Sequence, residues 1–390
     1  MIIFDKIINS MNKLAVFFLF FSCNFCSEIT QAQQKIVKSI NIVNNSNIPF
    51  ISKVVEIPWS KILNSNEIID TSKLIVIDAI TKKQLAFQFE TLGKSAIINL
   101  LVKVSLQPKQ FKKLLFSYGQ KILFTTQTYG RYVPERKDDF AWENDKIAFR
   151  MYGKALENTP KEMAYGIDVW VKRTNKLILN ERYKRGEYHI DHGDGLDYYH
   201  VGLTLGAGNM MPYISDSIYY SKNYVEYKIL DNGPLRTTFQ LSYNEWEVGN
   251  KKISAVKTIS LDAGSQFNKI AVNYFTNSID SLPVVAGIIT RKGNGIKYLD
   301  EVNGSMVYWE PEHGKDGITG VACLFNTTIE KMTATKEQLL AKTITNKEHY
   351  ISYYVGAVWN KAGDIKDAKQ WLQYVNLFQE QLKNPLQINK

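Results

Sequence analysis

Short alternating segments broken by polar turns limit this chain more than any other feature. Over residues 36–126 they run Ser39–Val43, Val54–Ile57, Leu74–Ile77, Leu85–Phe89, Ala96–Val104 and Lys113–Tyr118, with Asn-Asn-Ser-Asn, Asn-Ser-Asn and Thr-Lys-Lys turns between strands. Alternation puts apolar side chains on one face of a strand, and turns every 8–12 residues or so are the mark of a β-sandwich. From Tyr129 to about Asn360 the segments lengthen and carry more aromatics: Ile167–Lys172, Glu226–Leu230, Leu235–Tyr243, Ile253–Leu261, Lys269–Thr276, Val284–Thr290 and His349–Trp359. Helices do not alternate with these strands, which excludes a doubly wound nucleotide-binding fold. The expected class is all-β: a small N-terminal β-sandwich at 36–126, then a large curved antiparallel double sheet at 127–362 whose concave face holds the site. The segment 363–390 closes the chain with one helix packed on the sheet. Asp364 is placed to cap it, Ile365, Ala368, Trp371, Leu372, Val375, Phe378 and Leu382 recur at helical spacing, and Asn384-Pro385 ends it.

The first 32 residues set the expected compartment. Met11-Asn12-Lys13 precedes the apolar run Leu14–Phe21, and a polar stretch ends at Thr30-Gln31-Ala32, giving a signal peptide with a cut before Gln33. The apolar run is too short for a transmembrane span, and no later segment supplies one. Ser22-Cys23 offers a lipid anchor, against which Phe20 and Phe21 fit a lipobox poorly, so the periplasm is the expected location. Cys23 and Cys26 fall inside the leader, which leaves Cys323 in an apolar run, read as a small core residue with no disulfide partner. The net charge of +10 then speaks to an acidic extracellular substrate, and export sets nucleic acid aside. The load of 22 Tyr, 19 Phe and 7 Trp suits the same partner, because flat rings stack on the C–H faces of sugars.

Three segments carry polar groups dense enough for chemistry; residues 36–126 carry none and read as structural. The first is 129–153, with Arg131, Arg136, Trp142, Glu143 and Arg150. On its strand Arg150 lies opposite the apolar row Ile147, Phe149, Met151, either as a solvated edge residue or as a fork for a carboxylate. Trp142-Glu143 is of exposed type. In the second, Trp170 alternates with Val169 and Val171 beside Asp168 and Lys172, either as a sugar platform or as a cross-strand aromatic. The third, Tyr188 to His200, holds His189, His192 and His200 with Asp191, Asp194 and Asp197 around Gly193 and Gly195, a loop able to gather polar groups to one point. His189, His192 and Asp194 suit either a divalent metal or a base with its orienting carboxylate. No cofactor is expected, the metal being the lesser reading. His313 lies on a turn, and His349 reads as a satisfied histidine near the core. No phosphate loop, nucleophile elbow, CxxC pair or zincin motif occurs.

The stretch 129–145 with Phe149-Arg150-Met151-Tyr152-Gly153 resembles the family DUF4861, as do Gly166-Ile167-Asp168-Val169-Trp170, His189–Asp197, Asn232-Gly233-Pro234-Leu235-Arg236 and Ser260-Leu261-Asp262-Ala263-Gly264-Ser265. The resemblance is strongest over 129–270 or so. It implies an exported protein of bacterial carbohydrate utilisation with a galactose-mutarotase-like double sheet (a supersandwich). One branch resembles the oligosaccharide dehydratases of ulvan breakdown, which remove water from a terminal uronic acid.

Residue chemistry suits that reaction. Eliminating water across C4–C5 of a uronate needs a cation to hold the developing enediolate, a base at C5 and an acid at the leaving hydroxyl. Arg150, Arg131 and Arg136 are the clamp candidates, His192 the base, His189 or Tyr198 the acid, and Trp142 and Trp170 the platforms for the ring, with Glu143 beside them. Two other readings stand alongside. A glycoside hydrolase would draw two carboxylates from Glu135, Asp138, Asp139, Glu143, Asp168 and Asp197. A periplasmic sugar-binding protein would use the same aromatics and arginines without turnover.

Overall fold

The computed structural model describes residues 36–63, 69–277 and 280–389; the segment expected to be a leader, with Cys23 and Cys26, lies outside the described residues. The fold is all-β, every strand pairing within its sheets is antiparallel, and a C-terminal helix packs on the outside. No helix among the described residues is long and apolar enough to cross a membrane.

Strands Ile36–Val43, Leu74–Asp78 and Phe111–Tyr118 form one layer of a small sandwich, and Phe50–Pro58, Phe87–Glu90 and Asn99–Leu106 form the other. Their inward positions, among them Ile40, Ile42, Ile57, Val76, Leu100, Val102, Leu114 and Phe116, make one dry core. A short helix, α1 (Trp59–Ile62), follows the second strand.

The larger part is layered differently. An eight-stranded sheet runs in the order 226–232, 236–248, 251–262, 267–275, 350–359, 319–325, 305–309, 296–300. Two five-stranded sheets cover one of its faces. The first contains Thr128–Val133, Asp139–Asn144, Ala148–Met151, Asp168–Lys172 and Gly195–Leu196; the second contains Ala207–Ile214, Ser217–Ile218, Pro283–Ile289, Lys331–Ala334 and Gln338–Ile344. A bridge between Ile167 and Gly206 joins them edge to edge. Between the layers lies the main core, where Trp142, Phe149, Val169, Met210 and Val284 meet Phe239, Ile259, Ile270, Cys323, Tyr353 and Val355. The face expected to hold the site is therefore filled with apolar side chains. The charged residues lie on the opposite face of the first five-stranded sheet, under helix α2 (Leu179–Arg185).

Helix α3 (Ala368–Lys383) packs Trp371, Val375 and Phe378 on Phe267, Val307, Leu324 and Val358 of the eight-stranded sheet. Its cap is Asp367, whose side chain accepts from the Gln370 amide at 2.8 Å. Asp364 instead pairs with Lys146 at 2.7 Å; two cap-competent aspartates stand within one turn, and sequence does not rank them. The segment after Pro385 is not part of the helix or of its sheet. Gln387–Asn389 is a strand on the edge of Ile36–Val43, and Ile388 packs on the small sandwich. Three residues are too few to show a period of two.

Candidate functional site

Adjacent strands of the first five-stranded sheet put Asp139, Arg150 and Asp168 on the same face, because Arg150 stands in register with Ala141 and with Asp168. Asp197, from the end of the histidine loop, joins them. The Arg150 guanidinium lies 2.5 Å from Asp168 and 2.9 Å from Asp197 through Nη2, and 3.5 Å from Asp139 through Nη1. Its plane stands 4.9 Å from the Trp170 ring and 5.0 Å from that of Tyr152. Arg150 is 4% exposed, Asp139 and Asp168 0%, and Asp197 3%. One buried cation thus faces three buried carboxylates, a set that is not neutral when every acid is ionised. Burial, more than the neighbouring Arg150 and Arg136 charges can offset, pushes Asp139 up to about 6. Burial and the Asp168 charge push Asp197 up as well. Burial opposes the Arg150 charge, but Asp168, Tyr152, Asp197 and Asp139 outweigh it and hold the guanidinium well above its ordinary value. Among the described residues Asp139 Oδ1 has no hydrogen-bond partner.

The lid over this cluster is pinned by charge. Ile178 offers no side-chain cap to α2; Glu143 reaches from the sheet and accepts from the Ile178 and Leu179 amides at 2.6 and 2.8 Å. Glu143 is neutralised by Lys172 at 2.5 Å. Arg182, fully buried, donates to the Val171 and Asp194 carbonyls at 2.9 and 2.8 Å and so ties helix, sheet and loop together. In the loop, Asp191 pairs with Arg173 and accepts from the Gly193 and Gly195 amides at 2.9 Å, while Asp194 pairs with Arg185. Gly195 has φ +102°, and a Cβ there would stand 2.2 Å from the Val171 carbonyl, so a side chain at this point would lift the loop off the sheet.

A row of groups lies above the cluster, open to solvent at His189 and buried at Tyr188. Arg136 Nε donates to the Tyr188 hydroxyl at 3.0 Å, and Arg136 Nη2 meets Glu162 at 3.3 Å. The Tyr188 ring stacks on Trp170 at 4.7 Å and touches the His189 ring at 4.6 Å. His189 Nδ1 lies 2.7 Å from the Asp197 carbonyl oxygen and 3.7 Å from its carboxylate, and the side chain is 68% exposed. A carbonyl only accepts, so Nδ1 carries the hydrogen and the Nε2 lone pair is free.

Comparison with known proteins decides the family. DUF4861, described as a domain of unknown function, matches residues 42–388. The chain belongs to this family. It is also 31% identical over 372 residues to the uncharacterized protein P7 of Formosa agariphila, covering 90% of this chain and 92% of that one. Among solved structures, it is similar to a protein of glycosyl hydrolase family 38 and to an alpha-mannosidase, both from Enterococcus faecalis. Each has a TM-score of 0.48 and covers 90% of this chain, with 10% and 9% identity. The chain spans about half the length of those two proteins, 47% and 45%.

Within this DUF4861 protein the residues expected from sequence separate into groups. Arg150, Trp170 and His189 come together at the cluster, with Arg136 at its rim. Arg150 is not solvated; it is a fork whose carboxylates come from its own chain. The exposed character expected of Trp142-Glu143 is overturned. Trp142 is 0% exposed, stacks on Phe149 in the main core and donates to Asn268 at 2.7 Å, so no face is open to a sugar. Glu143 caps α2. Trp170 is also 0% exposed and forms the floor beneath Arg150 and Tyr188. Arg131 pairs with Glu135 and lies over the Tyr183 ring. His192 stands apart from the carboxylates, with Nε2 3.7 Å from Glu187. Tyr198 bonds Thr319 at 2.6 Å and stacks on His313 at 5.2 Å, not on the histidine loop. Among the described residues no three His, Cys, Asp or Glu side chains are placed to hold a metal, and Asp194 is occupied by arginines. His349 is 9% exposed and bonds the Asp280 carbonyl, and Cys323 is buried in the core. Sequence reasoning gave no role to Tyr188. Its neighbours in sequence drew attention to the histidines, and only folding sets its hydroxyl against Arg136.

Proposed function

We propose that this protein is an exported, carbohydrate-active hydro-lyase that removes water from the terminal uronic acid of a sulfated, carboxylated oligosaccharide of the ulvan type. The observation that supports this reading is the row Arg136, Tyr188 and His189 above the Arg150 cluster, with Tyr188 buried between a partly exposed Arg136 and an exposed His189. It offers a cation, a hydroxyl and an imidazole lone pair side by side, as the elimination requires. Arg136, at the rim with its side chain 26% exposed, clamps the substrate carboxylate and stabilises the enediolate. His189 Nε2 takes the C5 proton, the released electron pair forms the C4–C5 double bond, and the C4–O bond breaks. The Tyr188 hydroxyl donates its proton to the departing oxygen, which leaves as water. Asp197 holds the imidazole in the required tautomer. His189 takes this role here in place of His192, the base expected from sequence, because His189 lies against Tyr188 and Asp197 while His192 lies beside Glu187.

A hydrolase needs two accessible carboxylates flanking the scissile bond. Asp139, Asp168 and Asp197 are buried on Arg150 and Glu143 on Lys172, which leaves Glu135, paired with Arg131, and Asp138, bonded by the Tyr132 hydroxyl, as the accessible carboxylates for that reading. The test uses the chain from Gln33 with uronate-terminated oligosaccharides, following ultraviolet absorbance and product mass together. The expected result is loss of one water with rising absorbance, and a drop of about 10²–10⁴-fold in kcat for His189→Gln. Unsaturated product formed at full rate by that variant would remove His189 from the reaction, and new reducing ends without absorbance would replace the lyase by a hydrolase.

A further inference from the structure

The outer face of the eight-stranded sheet is covered in part by α3 and in part by the small sandwich, and a cleft of about 650 Å³ remains between them. Strand alternation decides what points into it. Across three neighbouring pairings, Thr238 faces Ser260, Ser260 faces Lys269, and Lys269 faces Tyr354, making one polar row; Tyr350 lies two positions further along the same face, beside Asn273. Lys53 enters from the sandwich and Phe378 from α3.

Among the described residues, three acids and three cations line this cleft and are unevenly paired, with the Asp262 and Glu56 charges also acting on Lys53. Its acids Glu56, Glu90 and Asp262 all bind Arg236, at 2.6, 2.8 and 2.5 Å. The two lysines have no such engagement. Lys53 Nζ stands 4.8 Å from the Phe378 ring centre, and among the described residues neither Lys53 nor Lys269 has a hydrogen-bond or ion-pair partner. Burial lowers the Lys53 amine from its ordinary value, as expected of a desolvated cation without a bonded anion. The half-buried Ser260 hydroxyl bonds only that of the buried Thr238, at 3.1 Å, and keeps further capacity. Tyr350, 37% exposed, offers an aromatic ring further along the same face, beside Asn273. A small inorganic anion would satisfy the lysines and leave the Ser260 hydroxyl, the ring and most of the volume unused. A chain of sugar rings carrying an acidic group uses them all.

We propose that this cleft is a second saccharide-binding site, taking an acidic oligosaccharide whose carboxylate or sulfate is held by Lys53 and Lys269 while a sugar ring lies against Tyr350. It rests on the acidic-saccharide reading of this chain but not on the elimination, and it would hold a longer substrate at a face remote from Arg136 and His189.

The experiment measures binding of a sulfated, carboxylated tetrasaccharide by calorimetry in the Arg136→Gln/His189→Gln background, with inorganic sulfate as the control ligand. The expected result is saturable binding that weakens about tenfold in each of Lys53→Gln, Lys269→Gln and Tyr350→Ala and is kept by Lys53→Arg, with melting temperatures unchanged. No binding in the background chain, parental affinity in the cleft variants, or full competition by equimolar sulfate would each overturn the second site. Turnover by the unaltered chain is scored separately, so failure of the cleft and failure of the lyase reading are distinguishable.

Discussion

Arg150 and Arg236 each gather three carboxylates, and the two clusters differ in what surrounds them. Around Arg150 the acids come from one sheet and its lid, and all are essentially dry. Around Arg236 they come from two parts of the molecule: Glu56 and Glu90 from the small sandwich and Asp262 from the eight-stranded sheet, with the Glu56 side chain 49% exposed and that of Asp262 21%. The second cluster is a joint, and water relieves its surplus negative charge. Gln88 strengthens it by accepting from the Leu235 and Arg236 amides at 2.9 Å. The first has no such relief, so its surplus appears as protons held above their usual range, at Asp139 and Asp197. The same residue types therefore make a fastening in one place and a poised polar centre in the other, and burial is what separates them.

Three measurements break or sharpen that contrast. The largest effect is expected from Arg150→Met, which leaves three buried carboxylates without their cation. A loss of about 3–5 kcal/mol in denaturant unfolding is expected, since breaking a buried ion pair costs that much. Arg236→Met is expected to cost less, about 1.5–3 kcal/mol, in line with charged hydrogen bonds whose partners regain water. Equal losses in the two variants would show that burial does not distinguish the clusters. The smallest effect concerns pH. Asp139 is held at about 6 against an ordinary 3.8, so between these values the native state binds a proton that the unfolded state has released. Stability from this group is therefore present at low pH and falls as pH rises from about 4 to about 6, by at most about 1.4 kcal/mol per pH unit. In Asp139→Asn this part of the slope should disappear from urea midpoints measured across that range; an unchanged slope would place the retained proton elsewhere.

The distinctive sequence words outside the cluster also acquire a physical role. Asn232 bonds the Gly130 backbone, accepting from its amide at 3.0 Å and donating to its carbonyl at 2.8 Å. Asn144 donates to the Asp262 and Ser265 carbonyls, and Gly264 donates to Asp145 at 2.6 Å. These segments, 128–145, 232–236 and 260–265, meet where the first five-stranded sheet crosses the ends of the long strands, so they secure the scaffold of the site without belonging to the row above Arg150.

Much of the architecture was written locally. Period-two alternation and the turns between segments foretold the strands, because each strand must offer one apolar face to a core. The helical stripe Trp371, Val375, Phe378 announced the closing helix for the same reason. The candidates Arg150, Trp170 and His189, which the fold brings together, were also visible as polar or aromatic residues on a face opposite an apolar row or in a glycine-bearing loop. Local pattern does not report what covers a second face. Sequence placed Trp142 and Glu143 at the surface and gave the fork of Arg150 to a substrate; the eight-stranded sheet covers Trp142 in the main core, α2 and the histidine loop bury the face of Glu143 and Arg150, and the fork closes on Asp139, Asp168 and Asp197. The pairing of Arg136 with Tyr188 spans 52 residues, and that of Arg236 with Glu56 spans 180. Contacts of that range follow from how sheets stack and where a lid is tied. The sequence by itself determined the strands, their inward faces and the residues capable of chemistry; the tertiary structure alone decided which of them are dry, which face solvent and which meet, because burial and long-range pairing are properties of the packed layers and not of any one segment.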